Sequence, residues 1–109
     1  MKIQEVIDFL EGWAPLQFQE PYDNSGLLVG DSNLEITGVL VCLDSIEKII
    51  DEAIQRNCNM VIAHHPILFG GLKSITGKTY IERTIIKAIK NDIVIYAIHT
   101  NLDNIKTGV

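Results

Sequence analysis

The chain has 109 residues, a formal net charge of -5 and 47% hydrophobic residues, a composition typical of a folded globular protein rather than a disordered or fibrous one. Its nine Lys and Arg residues form no basic cluster and no apolar run approaches the roughly 20 residues of a membrane span, so we expect neither a nucleic-acid nor a membrane partner. The start, MKIQEVIDFL, lacks the zones of a signal peptide, and we therefore expect a cytoplasmic protein.

The first element that the sequence predicts is a short helix. Its apolar residues recur at helical spacing at Ile3, Val6, Ile7 and Leu10. Gly12 follows where a glycine would end the helix. Residues 17–33 are rich in turn residues apart from the apolar letters LLV, which predict a loop that carries one short strand.

Three apolar runs then alternate with two amphipathic segments. The runs cover residues 36–44, 60–63 and 93–98. Asp44 with Glu47 three residues later predicts a capping box at the start of the first helix, and Asn57 suits its end. Thr79 with Glu82 predicts the start of the second helix in the same way.

This order of strand, helix, strand, helix, strand predicts the fold class. Apolar runs without alternation are typical of strands that are covered on both faces, and helices between them indicate right-handed crossovers. We therefore predict an α/β protein with layered α/β/α architecture and a mainly parallel sheet. Ligands of such sheets bind outside the carboxyl ends of the strands.

Polar side chains that can bind metal follow each of the predicted strands. Asp44 ends the first run, His64 and His65 follow the second, and His99 and Asp103 follow the third. A lone histidine at a strand end is most often structural, and Asp44 is explained most simply as a helix cap. The histidine doublet is less ordinary, because neighbouring strand residues face opposite sides and one ring would then face an apolar layer.

Two interpretations of these residues remain open from spacing alone, a metal site and three structural histidines, and we favour the metal site. Pro66 biases His65 toward extended backbone angles, which favours a turn that presents both rings to the crevice. Imidazole and carboxylate ligands suit zinc, manganese, iron, cobalt or nickel better than calcium or magnesium. Two such ions side by side are typical of hydrolytic chemistry.

Four motifs together resemble a known family over the whole chain. They are EPYDNSGLLVG, CLD, VIAHHPILF and IHTNLDN, and they resemble the dinuclear metal-centre family labelled GTP cyclohydrolase 1 type 2 homologue, or Nif3-like. Tyr22 stands where the family usually has tryptophan. The resemblance implies that His64, His65 and Asp103 bind two divalent transition-metal ions, with Asp103 bridging them. It places His99 at or next to the metals, where we expect a catalytic group that carries a proton.

The resemblance also bears on domain organisation and partners. Family members are longer and complete the site with a histidine and a glutamate near their carboxyl end. Residues 1–109 are therefore predicted to be the N-terminal part of a single metal-binding α/β domain, without the family's carboxyl-terminal portion. The resemblance also implies that the protein is a homo-oligomer, such as the hexameric ring of the family.

Two functions follow from the resemblance. The first is a metal-dependent hydrolase that acts on a nucleotide-like or other small substrate. The alternative is a non-enzymatic metal-binding protein that serves partner interaction or regulation.

Overall fold

Four strands and three helices make up the described part of the chain. The computed structural model describes residues 1–13, 25–67 and 74–98. The elements are α1 (Ile3–Trp13), β1 (Gly26–Val29), β2 (Val39–Asp44), α2 (Glu47–Gln55), β3 (Met60–His65), α3 (Tyr80–Lys90) and β4 (Val94–Ala97). The predicted site residues His99 and Asp103 lie outside the described residues, as do residues 68–73 of the loop before α3. None of the described helices has the length and apolar character needed to cross a membrane.

The four strands form one sheet in the order β1-β4-β3-β2. β2, β3 and β4 are parallel, with Val39 beside Met60 at one end of the β2–β3 pair and Asp44 beside His65 at the other. β1 pairs with β4 in the antiparallel direction. The prediction of a mainly parallel sheet is confirmed, and the short LLV segment supplies its antiparallel edge.

Helices cover both faces of the sheet, which confirms the layered α/β/α prediction. Neighbouring strand residues face opposite sides, and the two apolar clusters divide the strands in this way. One cluster joins Val61 and Ile95 to the helices α2 and α3. The other joins Met60, Val94 and Tyr96 to α1. Every residue of β4 is buried, because β4 lies between two strands and between two helical layers.

The helix that begins the chain continues past its predicted end. We expected Gly12 to end α1, but the helix runs through Gly12 to Trp13. A glycine ends a helix when it adopts a left-handed conformation with positive φ, and Gly12 is not one of the described glycines that does so.

The predicted capping role of Asp44 is wrong. A capping box at Asp44 and Glu47 requires the helix to begin at residue 45, whereas α2 begins at Glu47 with Ile46 in the N-cap position and no side-chain cap. Asp44 is instead the last residue of β2. The predicted end is confirmed, since Asn57 has a φ of 56° just after the C-cap residue Arg56.

The second predicted cap is confirmed. Thr79 is the N-cap of α3, and its hydroxyl oxygen accepts a hydrogen bond from the amide of Glu82 at 3.2 Å. The boundaries of the strands differ slightly from the sequence prediction. β2 begins at Val39 rather than at residue 36, and β3 continues two residues beyond Ala63 to include both histidines.

Candidate metal centre

The carboxyl ends of β2 and β3 bring three of the polar residues together. Asp44 and His65 are the last residues of their strands and are direct partners in the parallel register. Strand pairing therefore places a carboxylate beside an imidazole, although 20 residues separate them in the sequence. Both side chains are about half exposed, at 62% for Asp44 and 49% for His65. The pair is thus accessible from solvent at the edge of the sheet.

The pair forms a short side-chain hydrogen bond. Nδ1 of His65 lies 2.7 Å from Oδ1 of Asp44. This distance is at the short end of the range for hydrogen bonds between nitrogen and oxygen and is typical of charge-assisted ones. The bond fixes the orientation of the His65 ring relative to β2.

The two imidazoles of the doublet lie close to each other. Their ring centroids are 5.2 Å apart and the ring planes meet at 66°, an edge-to-face arrangement. Side chains of consecutive residues in a regular strand point to opposite faces, so this proximity is a departure from regular strand geometry at the end of β3. The buried Pro66 follows directly and restricts His65 to extended backbone angles. His64 is half-buried and His65 is exposed.

A cleft opens beside His65. Its volume is about 440 Å³, and the described residues that line it are Asp44, Ser45, Ile46, His65, Pro66, Ile67, Tyr80 and Ile81. The starts of α2 and α3 form two of its sides, since Ile46 precedes α2 and Tyr80 begins α3. Apolar walls with a few polar groups are typical of small-molecule sites. The cleft therefore places the Asp44–His65 pair next to a space of ligand size.

The nearby cysteine is a poor candidate for a metal ligand. Burial raises the pKa of the Cys42 thiol, and the Asp44 carboxylate raises it further, while the Ser45 hydroxyl acts in the opposite direction. Since the thiolate is the form that binds metals, a raised pKa disfavours ligation by this residue at neutral pH.

The structure describes part of the predicted ligand set. It brings His64 and His65 together, and adds Asp44, which sequence reasoning had explained as a helix cap. Within the ranges that the structure describes, no three His, Cys, Asp or Glu side chains form a group that could hold a metal ion. One feature of the sequence did point to Asp44. It ends an apolar run, and the next apolar run along the chain ends at the histidine doublet.

Three known proteins illustrate what this chain is similar to. A GTP cyclohydrolase 1 type 2 homolog from Clostridium acetobutylicum is 43% identical over 109 residues, which are 100% of this chain and 41% of that protein. The crystal structure of a Staphylococcus aureus hypothetical protein matches with a TM-score of 0.90 and 42% identity, over 94% of this chain and 34% of that one. Reduced HcgD from Methanocaldococcus jannaschii matches with a TM-score of 0.86 and 36% identity, over 94% of this chain and 41% of HcgD.

The extent of these matches is as informative as their strength. The chain spans about two fifths of the length of the Clostridium relative and about a third of the Staphylococcus structure. The match to the family as a whole covers every residue, because the sequence model of Duf34/NIF3 (NGG1p interacting factor 3) aligns with residues 1–109. The chain therefore belongs to the Duf34/NIF3 family.

Proposed function

We propose that the protein binds two divalent transition-metal ions at the carboxyl ends of its parallel strands and that, in its longer form, it is a metal-dependent hydrolase. The substrate class we propose is a nucleotide-like or other small molecule. The observation that carries the proposal is the pair of imidazoles with centroids 5.2 Å apart, one of them bonded to a carboxylate. Imidazole nitrogens that are oriented by a carboxylate are common in metal sites.

The donor groups present fit such ions. Neutral imidazole is a ligand for zinc, iron, cobalt and nickel, and carboxylates extend the choice to manganese. Two imidazoles are fewer than the four ligands of a tetrahedral zinc site, so further donors must complete the centre. We propose that Asp103 would be a further ligand, together with groups from the longer form of the protein.

The course of β4 supports a contribution from the residues that follow it. β4 runs parallel to β3, and beyond its end the amide of Ile98 donates to the carbonyl of Ala63 at 2.9 Å. His99 and Asp103 follow Ile98 by one and five residues. Since an extended chain advances at most about 3.6 Å per residue, the chain beyond Ile98 is long enough for these side chains to reach the doublet's end of the sheet.

In the proposed hydrolase, the histidine doublet, the cleft and His99 have different tasks. His64 and His65 hold the metal ions, which would supply Lewis-acid activation of water and substrate. The cleft beside His65 accepts the substrate, with the Tyr80 ring and the side chains of Ile46 and Ile81 at its walls. We propose that His99 carries a proton between substrate and solvent, a role that suits an imidazole near neutral pH.

A non-enzymatic metal-binding protein is the second candidate. The name of the family favours this candidate, because NIF3 stands for NGG1p interacting factor 3. In this alternative the metal centre stabilises or regulates a surface that binds a protein partner. Turnover of a substrate by the metal-loaded protein would distinguish the hydrolase from this candidate.

Metal content tests the proposal directly. The longest natural form of the protein is purified without chelator or affinity metal, and its metals are counted by elemental analysis. We expect about two ions per chain, in line with a two-metal site. We expect His65→Ala and Asp103→Ala each to remove most of the metal while the protein stays folded.

A matched control separates ligand loss from a general effect of losing a charge. Asp8→Ala removes an exposed carboxylate on α1, and we expect its metal content to equal that of the wild type. Retention of stoichiometric metal by both His65→Ala and Asp103→Ala would contradict the ligand assignment. An absence of metal from the wild-type long form would mean that the histidines are structural.

A further inference from the structure

We infer that Asp44 is the positioning residue of the metal centre: its carboxylate holds the His65 ring with the proton on Nδ1, so that Nε2 is the nitrogen that binds the metal. The inference rests on the proposed function and deepens it by naming the ligating atom and the group that orients it. Asp44 itself makes no contact with the metal in this arrangement.

The two strands set the geometry of the pair. Asp44 and His65 occupy paired positions in the parallel ladder of β2 and β3, and the pairs Leu40–Val61 and Cys42–Ala63 hold the register before them. The backbone therefore fixes the separation of the two side chains before either of them finds a partner. The resulting distance from Nδ1 to Oδ1 is 2.7 Å. Such a pair is preorganised, because ordering it requires only side-chain rotations.

The chemistry of the two groups decides where the proton lies. A carboxylate is only an acceptor, so a hydrogen bond between it and a neutral imidazole requires the proton to be on Nδ1. The neutral ring then carries its basic lone pair on Nε2. The other ring nitrogen of a metal-binding histidine commonly donates to a carboxylate in this way, which raises the basicity of the ligand and fixes its orientation.

The described contacts of the neighbouring helix α2 do not use the Asp44 carboxylate. It does not cap α2, because Ile46 is the N-cap residue of that helix. The nearest acidic residue of α2, Glu47, has its carboxylate engaged by Arg83 at 3.0 Å and by Lys87 at 3.6 Å. The geometry thus divides the two acidic residues between different partners, with Glu47 linking α2 to α3 and Asp44 orienting His65.

The test compares Asp44→Asn and Asp44→Ala in the longest natural form of the protein. Asparagine keeps an Oδ1 acceptor at the same place, whereas alanine removes it. The first readout is the ¹⁵N chemical shifts of the His65 ring in metal-free protein, in alkaline buffer. The second is the dissociation constant for Zn²⁺. Circular dichroism confirms that both variants are folded, and Asp51→Ala on the exposed face of α2 serves as the control.

We expect the proton on Nδ1 in the wild type and in Asp44→Asn, and loss of this preference in Asp44→Ala. Zn²⁺ affinity should fall by roughly 10-fold to 100-fold in Asp44→Ala, the range typical of such oriented ligands, and Asp44→Asn should recover most of it. The control should match the wild type. An equal loss of affinity in both Asp44 variants would overturn the inference, because it would make Asp44 itself a ligand.

Two other results separate this inference from the proposed function. If the wild type binds Zn²⁺ and Asp44→Ala binds it equally well, or if the wild-type proton lies on Nε2, the positioning role fails while the metal centre stands. If the wild type binds no Zn²⁺ at all, the proposed function fails and the positioning role fails with it.

Discussion

At the scale of single residues, the carboxylate of the buried Glu82 accepts several hydrogen bonds from the start of α3 and the loop before it. Oε1 accepts from the amide of Thr76 at 2.8 Å and from its hydroxyl at 3.3 Å, and Oε2 accepts from the hydroxyl of Thr79 at 3.1 Å. The amide of Thr76, with a smaller contribution from the Thr79 hydroxyl, lowers the pKa of Glu82 below its ordinary value of 4.5. One buried side chain therefore ties the loop before α3 to the first turn of that helix.

This lowered pKa makes stability depend on pH in a stated direction. A carboxyl whose pKa is lower in the folded state stabilises the protein above its unfolded pKa of 4.5, and the contribution is lost as the pH falls through the folded value. We expect Glu82→Gln to be less stable than the wild type near neutral pH. Its melting temperature should fall less than that of the wild type on acidification, because glutamine does not titrate. Thermal unfolding followed from about pH 7 to about pH 3 measures the difference.

The control for this prediction is Glu52→Gln, a surface carboxylate on α2 that pairs with Arg56. We expect its acid response to follow that of the wild type. Parallel pH curves for Glu82→Gln and the wild type would show that the hydrogen bonds of Glu82 do not discriminate between its charged and neutral forms.

At the scale of elements, the edge strand β1 depends on a glycine at its end. Gly30 follows β1 with a φ of 103°, a conformation that side chains rarely adopt. A Cβ at this position would lie 2.9 Å from Cγ2 of Val94 and 3.0 Å from its Cα. Because the second atom belongs to the backbone of β4, a larger residue would have to push β1 away from its only partner strand in the described sheet.

The prediction is that Gly30→Ala lowers the free energy of unfolding by about 1 to 3 kcal/mol, from backbone strain and the close contact together. Gly12→Ala is the matched control, because a Cβ there meets no atom within 4 Å and the residue lies inside α1. Alanine is a better helix former than glycine, so we expect a gain of up to about 1 kcal/mol. Urea denaturation of both variants measures the contrast, and equal effects would contradict it.

The two similar cap motifs show what depends on the tertiary structure at this scale. Thr79 and Glu82 have the same spacing as Asp44 and Glu47, and only the first pair caps a helix. Where a helix begins after a strand depends on how far the strand pairs with its neighbour. β2 continues to Asp44 because β3 continues to His65 beside it, and that pairing is non-local.

For the whole molecule, the central feature is a single sheet with an apolar cluster packed on each of its two faces. Met60, Val94 and Tyr96 face α1, while Val61 and Ile95 face α2 and α3. The two clusters share the backbones of β3 and β4, so neither can lose its packing without disturbing the strands on which the other depends. The hydroxyl of Tyr96 also donates to Glu11 of α1 at 3.1 Å, which links that helix to the central strand.

We therefore predict that the chain unfolds in one cooperative transition. Trp13, the single tryptophan, lies at the end of α1, so its fluorescence reports on that helix, while far-ultraviolet circular dichroism reports on all the helices and strands. The two signals should give the same midpoint in urea, as two-state unfolding requires. Ile3 packs on one face of the sheet and Ile50 on the other. Replacing either by alanine should lower that midpoint, because it lowers the free energy of unfolding by about 2 to 5 kcal/mol.

Separate midpoints for the two signals would contradict this prediction. They would show that α1 detaches from the sheet independently. Ile54→Ala is the control for Ile50→Ala, because both residues lie on α2 and Ile54 is 42% exposed. We expect the control to shift the midpoint far less.

The sequence by itself determined the order of helices and strands from α1 to β4, the cap at Thr79, the parallel core of the sheet and the identity of the histidine doublet. These features depend on residues that are close in the chain, where hydrophobic periodicity and cap spacing act directly. Tertiary structure alone decided that β1 pairs antiparallel with β4, that α1 covers the face opposite α2 and α3, and that Asp44 bonds to His65. The physical reason is that each of these contacts joins segments that are distant in the chain, and no local pattern specifies which distant segments meet.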